Sequence, residues 1–148
     1  QTSTAFSSLV NGGTLYKPSI VAGTVDEDGN LSKKSPEISR EGVISKETSQ
    51  QMKQVLEGVR KVGGAKDPAG YQIGGKTGTS QTIVGGKYVD YQTIGSYVGF
   101  GGGDQAEYVI MVAVWGENQN LQGSKDAEPI FTEISNWLFN YLEVKPTN

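Results

Sequence analysis

The 148-residue sequence contains no cysteine and no histidine. Without cysteine there is no disulfide, no thiol nucleophile and no thiolate metal site, and without histidine there is no imidazole base or metal ligand. Any proton transfer performed by this chain must therefore use Lys, Glu, Asp or Tyr side chains. We accordingly expect neither a metal nor a cofactor.

Long apolar runs and an excess of one charge are also lacking. Thirteen basic and sixteen acidic residues give a net charge of −3, so there is no basic stripe and no nucleic-acid partner is expected. The longest apolar run, residues 108–115, is far shorter than the roughly 20 residues of a membrane span. The 21 glycines are about twice the usual share of roughly 7%, and with only five prolines neither collagen nor a disordered linker fits.

The first half of the chain carries signals for two helices and a hairpin. Apolar residues at helical spacing over residues 2–10 stop at Asn11-Gly12-Gly13, which indicates a helix C-terminus. An Asp28-Gly29-Asn30 turn between short β-type runs predicts a hairpin. Ser45 is placed to cap a second helix, and helical spacing predicts that its buried face consists of Met52, Val55, Leu56 and Val59.

The second half predicts three antiparallel strands followed by a helix. Strands are expected within residues 71–80, 93–100 and 108–115, with a glycine-rich hairpin loop at 101–105. Because the run 108–115 is apolar throughout, both of its faces should be covered. The sequence therefore predicts an α+β fold in which an antiparallel β-sheet has helices packed on both faces. The closing helix, with Pro129 in its first turn, is expected to provide one cover through a single stripe of Ile130, Phe131, Ile134, Trp137, Leu138, Tyr141 and Leu142.

Residues 70–80 are the most chemically informative stretch, and two interpretations compete for it. Residues 70–77 satisfy GxxxxGK[ST], the pattern of a phosphate-binding loop. That loop needs a buried strand before it and a helix that begins at the lysine. However, residues 63–69 are glycine-rich and polar, and Gly78 follows two residues after Lys76 among poor helix formers. The match to a nucleotide-binding loop is therefore formal only.

The second interpretation places Lys76-Thr77-Gly78-Thr79 on a strand. Because side chains alternate along a strand, Lys76 and Gly78 share one face, whereas Thr77 and Thr79 share the other. An ammonium group, two hydroxyls and exposed strand amides suit an extended ligand that carries a carboxylate and docks as an added strand. The same residues also suit an ordinary polar edge strand, and the tripeptide alone does not decide between the two.

Further motifs extend the pattern over nearly the whole chain. Asn11-Gly12-Gly13 lies about 63 residues upstream of Lys76, and Tyr97-Val98-Gly99-Phe100 lies about 20 residues downstream. With residues 70–81 and the closing helix, this arrangement resembles the C-terminal part of a class B penicillin-binding protein transpeptidase domain, in the active-site serine family that includes the β-lactamases. The resemblance implies a partial β-lactamase/transpeptidase-like fold.

The resemblance also implies a function for the strand. The chain would be part of a peptidoglycan D,D-transpeptidase, which cross-links cell-wall stem peptides through a serine acyl-enzyme and is the target of β-lactams. Lys76 would position and polarise the site, and the hydroxyls of Thr77 and Thr79 would hold the carboxylate of a D-Ala-D-Ala stem peptide or of a β-lactam. The backbone N–H of Thr79 would be one of two oxyanion donors. The implied catalytic residues are Lys76, Thr77, Gly78 and Thr79, and the implied substrate-binding residues are Thr77, Thr79, Ser80 and Gln81.

The nucleophile of this family is missing from the chain. The reaction needs Ser-x-x-Lys and Ser-x-Asn elements, yet no serine here has Lys three residues later or Asn two residues later. We therefore expect residues 1–148 to be the C-terminal portion of a transpeptidase domain, inactive alone, with the N-terminal remainder of that domain as its partner. The parent protein is expected to be extracytoplasmic and anchored in the bacterial cell membrane. The alternative is a non-catalytic module that binds a peptide carboxylate.

Most of the remaining candidate side chains are expected to have no catalytic role, and for two tyrosines two roles stay open. Four acidic residues are predicted to be surface charges: Asp104, Glu107, Glu128 and Glu133. Trp115 and Trp137 occupy apolar stripes and are predicted to lie in the core. Tyr88 and Tyr91 follow the Gly85-Gly86 turn, and for them contact with the rim of a cleft and packing within the loop are equally open.

Overall fold

Three α-helices surround a three-stranded sheet in residues 1–147, the part of the chain that this computed structural model describes. The helices are α1 (Thr2–Val10), α2 (Lys46–Val62) and α3 (Glu128–Tyr141), and a π-helical turn at Gly123–Ala127 leads into α3. The strands are β1 (Leu15–Tyr16), β2 (Gly23–Val25), β3 (Leu31–Lys33), β4 (Ile38–Arg40), β5 (Gln72–Val84), β6 (Lys87–Gly102) and β7 (Ala106–Val114). In the same part of the chain, none of the helices combines the length and the hydropathy that a membrane crossing requires.

The main sheet has the strand order β5-β6-β7, with both pairs antiparallel, so that β5 lies at one edge. Gly85 and Gly86 join β5 to β6, and both have positive φ, 57° and 79°. Glycine adopts this conformation without strain, and tight hairpin turns require it. The predicted loop between β6 and β7 is confirmed, and the predicted hairpin near Gly29 is the pair β2–β3.

Helices cover both faces of the main sheet, as predicted. On one face, α1 and α2 pack against Phe100. On the other face, α3 packs against Tyr97. Residues 97 and 100 of β6 point to opposite faces because side chains alternate along a strand. One core therefore contains Phe6, Val10, Leu56 and Phe100, and the other contains Ile73, Tyr97, Val112, Ala127, Phe131 and Phe139.

Helix ends follow the local signals in the sequence. The first helix ends at Val10, directly before Asn11-Gly12-Gly13, as predicted, and Asn11 is its C-cap residue. Ser45 caps α2, with its Oγ accepting a hydrogen bond from the Thr48 N–H at 3.1 Å. Pro129 lies in the first turn of α3, where no intrahelical N–H is needed. These ends are determined by residues within one turn of the boundary.

The buried face of α2 differs from the predicted one. Val55 and Val59 are 60% and 42% exposed. Leu56 packs on Phe100, and this contact turns the valine stripe away from the sheet. The side chains that α2 buries are Ser49, Lys53, Leu56 and Arg60. Helical periodicity identified an apolar stripe, but it did not say whether the sheet of this chain covers it.

The apolar residues of α3 form two faces rather than the single stripe predicted. The buried face carries Phe131, Ser135 and Phe139 at helical spacing. Four others are between 38% and 67% exposed: Ile130, Ile134, Trp137 and Tyr141. Trp137 stacks on Tyr141 with ring centroids 4.5 Å apart. The prediction that Trp137 lies in the core is therefore wrong, because the sheet contacts only one side of α3.

The third strand, β7, is covered less completely than its apolar sequence predicts. Val112 is 9% exposed and lies in the core beneath α3. Met111, on the other face, is 38% exposed, and Trp115, just beyond the strand, is 73% exposed. The prediction of a buried Trp115 is thus also wrong. Apolar surface on α2, α3 and β7 stays open to solvent in residues 1–147.

Candidate active site

The predicted site residues Lys76, Thr77, Gly78 and Thr79 occupy the middle of β5. Within residues 1–147, β5 pairs with β6 and with no strand on its other side. The strand continues to Val84, so no helix begins at Lys76 and the interpretation as a phosphate-binding loop is wrong. An edge strand leaves backbone N–H and C=O groups free for an extended ligand.

The two glycines before Lys76 let α2 and the Tyr97 ring pack closely against the two faces of β5. A Cβ at Gly74 would lie 2.6 Å from a ring carbon of Phe100 and 2.8 Å from the backbone nitrogen of Glu57 in α2. A Cβ at Gly75 would lie 2.5 Å from two ring carbons of Tyr97. Because a close-packed interior leaves no room for these atoms, the strand that enters Lys76 is held between α2 and the Tyr97 ring.

Lys76 presents an ammonium group beside a hydroxyl. The Lys76 side chain is exposed, and its Nζ donates a hydrogen bond to the Thr77 carbonyl oxygen at 3.0 Å. The same Nζ lies 3.5 Å from Thr77 Oγ1. The structure therefore brings together the cation and the first hydroxyl that the sequence predicted. Such a pair suits a carboxylate, because hydrogen bonds between ionised groups are the stronger class.

Gly78 faces Ser96, a residue that sequence reasoning did not single out. The two residues are partners in the β5–β6 register. A Cβ at Gly78 would lie 2.7 Å from Ser96 Oγ, and the Ser96 hydroxyl donates to the Gly78 carbonyl oxygen at 3.4 Å. The space that glycine leaves on this face is thus partly filled by a hydroxyl of the neighbouring strand.

The hydroxyl of Thr79 is bonded to the turn that precedes α3. The Gly123 N–H donates to Thr79 Oγ1 at 3.2 Å. A Cβ at Gly123 would lie 2.6 Å from the Gly78 carbonyl oxygen, so only glycine lets this turn lie on β5. Because the Gly123 N–H uses one lone pair of the hydroxyl, the O–H of Thr79 stays available as a donor. Thr79 is exposed, and a ligand can reach that donor.

Beyond Thr79, β5 extends into an exposed hairpin. Ser80 and Gln81 are both exposed, and the register with β6 shifts directly after Gln81. Tyr88 and Tyr91 are 71% and 50% exposed on the same hairpin. This exposure argues against packing within the loop, and contact with the rim of a cleft stays a prediction.

A buried arginine lies behind β5, and sequence reasoning did not single it out. The Arg60 side chain has no exposed surface, and its Nε and Nη2 donate to the two carboxylate oxygens of Asp67 at 2.8 and 2.7 Å. Its Nη1 donates to Tyr97 Oη at 3.2 Å and to Glu128 Oε1 at 3.1 Å, and its Nη2 donates to Thr132 Oγ1 at 3.0 Å. The available signal was its position four residues after Leu56, on the buried face of α2.

The prediction that Glu128 is a surface charge is wrong. Its side chain is 18% exposed and accepts the hydrogen bond from Arg60. Burial raises the pKa of the Glu128 carboxyl above its ordinary value, and the charge of Arg60 opposes this shift. Burial likewise raises the pKa of the Tyr97 phenol, which keeps the hydroxyl protonated beside Arg60.

Sequence comparison relates the chain to cell-wall enzymes. The family model of the penicillin binding protein transpeptidase domain matches residues 1–136. Stage V sporulation protein D of Bacillus subtilis (strain 168) is 40% identical over 147 residues, which are 96% of this chain and 23% of that protein. The probable peptidoglycan D,D-transpeptidase PenA of Neisseria flavescens is 30% identical over 109 residues, 71% of this chain and 27% of that protein. The chain thus spans about a quarter of the length of these relatives.

Comparison with solved structures gives the same result as the sequence comparison. The crystal structure of penicillin binding protein 3 from Mycobacterium tuberculosis, complexed with ampicillin, matches with a TM-score of 0.75 at 28% identity. The match covers 97% of this chain and 34% of that chain. The fold class predicted from the sequence, an antiparallel sheet between helices with a transpeptidase-like arrangement, is confirmed. By its sequence and by its fold, this chain belongs to the penicillin-binding protein transpeptidase domain family.

Proposed function

We propose that this chain forms part of a peptidoglycan D,D-transpeptidase, which cross-links stem peptides through a serine acyl-enzyme and is acylated by β-lactams. The observation that carries the proposal is the placement of residues 76–79 on the free edge of β5, in a chain of this family. Two further facts support it. One relative is named a probable peptidoglycan D,D-transpeptidase, and one structural neighbour is complexed with ampicillin.

In this proposal the four central residues act on one bound ligand. The stem peptide lies along the free edge of β5, with its terminal carboxylate near the exposed ammonium of Lys76 and the hydroxyls of Thr77 and Thr79. Gly78 leaves the face that carries Lys76 without a second side chain, so that the backbone of a ligand can approach the strand there. The Thr79 N–H points to the developing oxyanion, a role for which one donor contributes about 2.7–4 kcal/mol. Ser80 and Gln81 continue the binding surface.

The N-terminal remainder of the domain provides the nucleophile in this proposal, and residues 1–148 provide the Lys-Thr-Gly wall. The chain has no Ser-x-x-Lys and no Ser-x-Asn, and it spans about a quarter of the length of its relatives. The open apolar stripes on α2 and α3 suit further chain packed against them. Lys53 is 7% exposed and forms no ion pair within residues 1–147, which suits a carboxylate contributed by that remainder.

The same proposal places the site outside the cytoplasm. Peptidoglycan cross-linking takes place at the cell wall, and the parent protein is proposed to be anchored in the bacterial cell membrane by a segment outside this chain. Cell fractionation of the parent protein with an antibody to residues 1–148 tests this placement. Recovery in the soluble cytoplasmic fraction contradicts it.

The decisive experiment measures acylation by a fluorescent penicillin in the transpeptidase domain that contains this chain. The double variant Thr77→Val with Thr79→Val removes both hydroxyls and keeps the side-chain volumes. Because a hydrogen bond to a charged group contributes about 1.5–3 kcal/mol, the second-order rate constant should fall at least about 100-fold. Thr24→Val makes the same chemical change on the exposed strand β2 and should leave the rate unchanged. Equal rates in all three proteins contradict the carboxylate-binding role of Thr77 and Thr79, and a wild-type domain that penicillin does not acylate contradicts the proposed function.

A second measurement tests the division of the site between two parts of the domain. Residues 1–148 alone, incubated with penicillin, should show no covalent adduct by intact mass, because they lack the serine nucleophile of the family. Addition of the N-terminal part should restore labelling. An adduct on the isolated chain would show that a different nucleophile operates.

A further inference from the structure

The guanidinium group of Arg60 is enclosed and fully hydrogen-bonded, and it forms none of these bonds with the residues proposed to meet substrate. Arginine has five N–H donors, and here they are used by Asp67, Tyr97, Glu128 and Thr132. The Arg60 Cζ also lies 5.3 Å from the centroid of the Phe131 ring and 5.9 Å from that of the Tyr97 ring. A buried polar group with every donor satisfied holds its partners in one arrangement.

Arg60 connects the two helical layers at the edge strand. The helix that carries it, α2, packs on the face of the sheet that bears Phe100. Its acceptors Tyr97 and Thr132 belong to the opposite face, where α3 lies. The side chain therefore begins in one layer and ends in the other. Arg60 thus joins the two layers through hydrogen bonds.

Tyr97 is the link from Arg60 to the active strand. It is 1% exposed, pairs with Thr77 in the β5–β6 register, and places its ring against Gly75. On the opposite face, Gly74 lies against the backbone of α2. The two residues before Lys76 are thus held directly by α2 on one side, and by α2 acting through Arg60 and Tyr97 on the other.

We propose that Arg60 is a positioning residue for the transpeptidase site: by holding the Tyr97 ring against Gly75, it fixes β5 where Lys76 and Thr79 meet the substrate. The kinetic part of this inference rests on the proposed function, whereas the ordering of β5 does not. Misplacement of a reacting group by about 1 Å can lower a rate about 100-fold. A small shift of β5 therefore affects acylation more than it affects folding.

Two conservative variants separate positioning from general stabilisation. Tyr97→Phe and Thr132→Val each remove one acceptor of Arg60, at 3.2 and 3.0 Å. Tyr97 places its ring against Gly75 of β5, whereas Thr132 belongs to α3, so Thr132→Val is the matched control. Direct replacement of Arg60 is avoided because it leaves Asp67 and Glu128 buried without their cation and endangers the fold.

The variants are compared in the transpeptidase domain that contains this chain, with penicillin as the probe. We expect Tyr97→Phe to lower the limiting acylation rate constant about tenfold, within the range that misplacement produces, with the apparent dissociation constant of penicillin little changed. Thr132→Val should leave both constants unchanged, while thermal unfolding shows similar losses of stability in the two variants. Equal acylation constants in Tyr97→Phe and in the wild type, or equal losses in both variants, overturn the inference.

Hydrogen exchange tests the same inference without relying on catalysis. The amides of residues 73–80 should exchange faster in Tyr97→Phe than in the wild type, and at the wild-type rate in Thr132→Val. Equal exchange in both variants overturns the positioning role. A wild-type domain that penicillin fails to acylate contradicts the proposed function instead, and the exchange data then decide the positioning role alone.

Discussion

At the residue scale, the position of the strand that carries Lys76 depends on close contacts that leave no room for side chains at neighbouring residues. Gly74 and Gly75 have no side chains because α2 and the Tyr97 ring occupy the space on their two faces. Gly123 allows the turn before α3 to reach the backbone of Gly78 and to donate to Thr79. The chemistry of the site thus depends on residues that have no functional group of their own.

Gly75→Ala is expected to destabilise the fold. The new Cβ would lie 2.5 Å from ring carbons of Tyr97, which is 1% exposed and bonded to Arg60, so the ring has no room to move. Overpacking of a core costs about 1–3 kcal/mol, and urea unfolding of the domain measures it. Gly116→Ala is the control, because its Cβ would meet only side-chain carbons of the exposed Gln119. Equal losses in the two variants contradict this explanation.

Tyr108 gives a prediction for alkaline pH. Its hydroxyl is hydrogen-bonded to Ser135 Oγ at 2.7 Å, and burial raises its pKa from 10.0 to about 12. A phenol with a raised pKa in the folded state stabilises the fold fully below pH 10, and this contribution is lost as the pH rises towards about 12. The difference in tyrosinate absorbance between wild type and Tyr108→Phe should therefore show ionisation near pH 12. Ionisation of Tyr108 near pH 10 contradicts the prediction.

At the scale of secondary structure, boundaries and buried faces have different origins. The start of α2 depends on Ser45, which bonds to an N–H one turn away. The buried face of the same helix depends on the sheet, and it includes Lys53 and Arg60 while Val55 points outward. Local chemistry therefore determines where the helix begins, and tertiary packing determines which side it buries.

Ser45→Ala should shorten or weaken α2. The substitution leaves the Thr48 N–H without its side-chain acceptor, and loss of such a cap costs about 1 kcal/mol. Chemical unfolding of the domain measures the loss, and helical circular dichroism shows whether α2 frays. Ser35→Ala, at an exposed loop position, is the matched control and should change neither. A cap variant as stable as this control shows that Ser45 does not anchor the helix.

At the scale of the whole molecule, the open apolar surface is the dominant feature of residues 1–147. Two stripes of large apolar side chains, on α2 and on α3, and the far edge of the sheet at β7 face solvent. Monomeric proteins rarely expose large contiguous apolar patches without a partner. This surface supports the proposal that the remainder of a transpeptidase domain packs here.

The fluorescence of the two tryptophans can show whether the remainder of the domain packs on this surface. Trp115 and Trp137 are 73% and 58% exposed, and they are the only tryptophans in the sequence. The fluorescence of residues 1–148 should therefore have the long-wavelength maximum of solvated indole. Addition of the N-terminal part of the domain, prepared without tryptophan, should shift the maximum to shorter wavelength as apolar surface is covered. An unchanged maximum on association contradicts the proposed interface.

Much of the fold could be predicted, but only part of the site. The helix ends, the hairpins and the strand that carries Lys76 follow from caps, glycines and periodicity. Arg60 was missed because a lone arginine on a helix ordinarily marks a solvated face. Its four acceptor residues, three of them from distant segments, offset the cost of burying its charge. The burial of Trp115 and Trp137 was wrongly predicted. An apolar stripe indicates that some surface should cover it, but it does not indicate which segment does so.

By itself, the sequence determined the α+β class, the strand position of residues 76–79 and the family, because these depend on local spacing and on the order of motifs along the chain. Only the tertiary structure decided that α2 and Tyr97 contact opposite faces of the strand just before Lys76 and that the Gly123 N–H donates to Thr79. It also decided that Glu128 is bound to Arg60 rather than solvated. These contacts join residues far apart in the chain, and their energies depend on burial and geometry that arise only when the layers pack together.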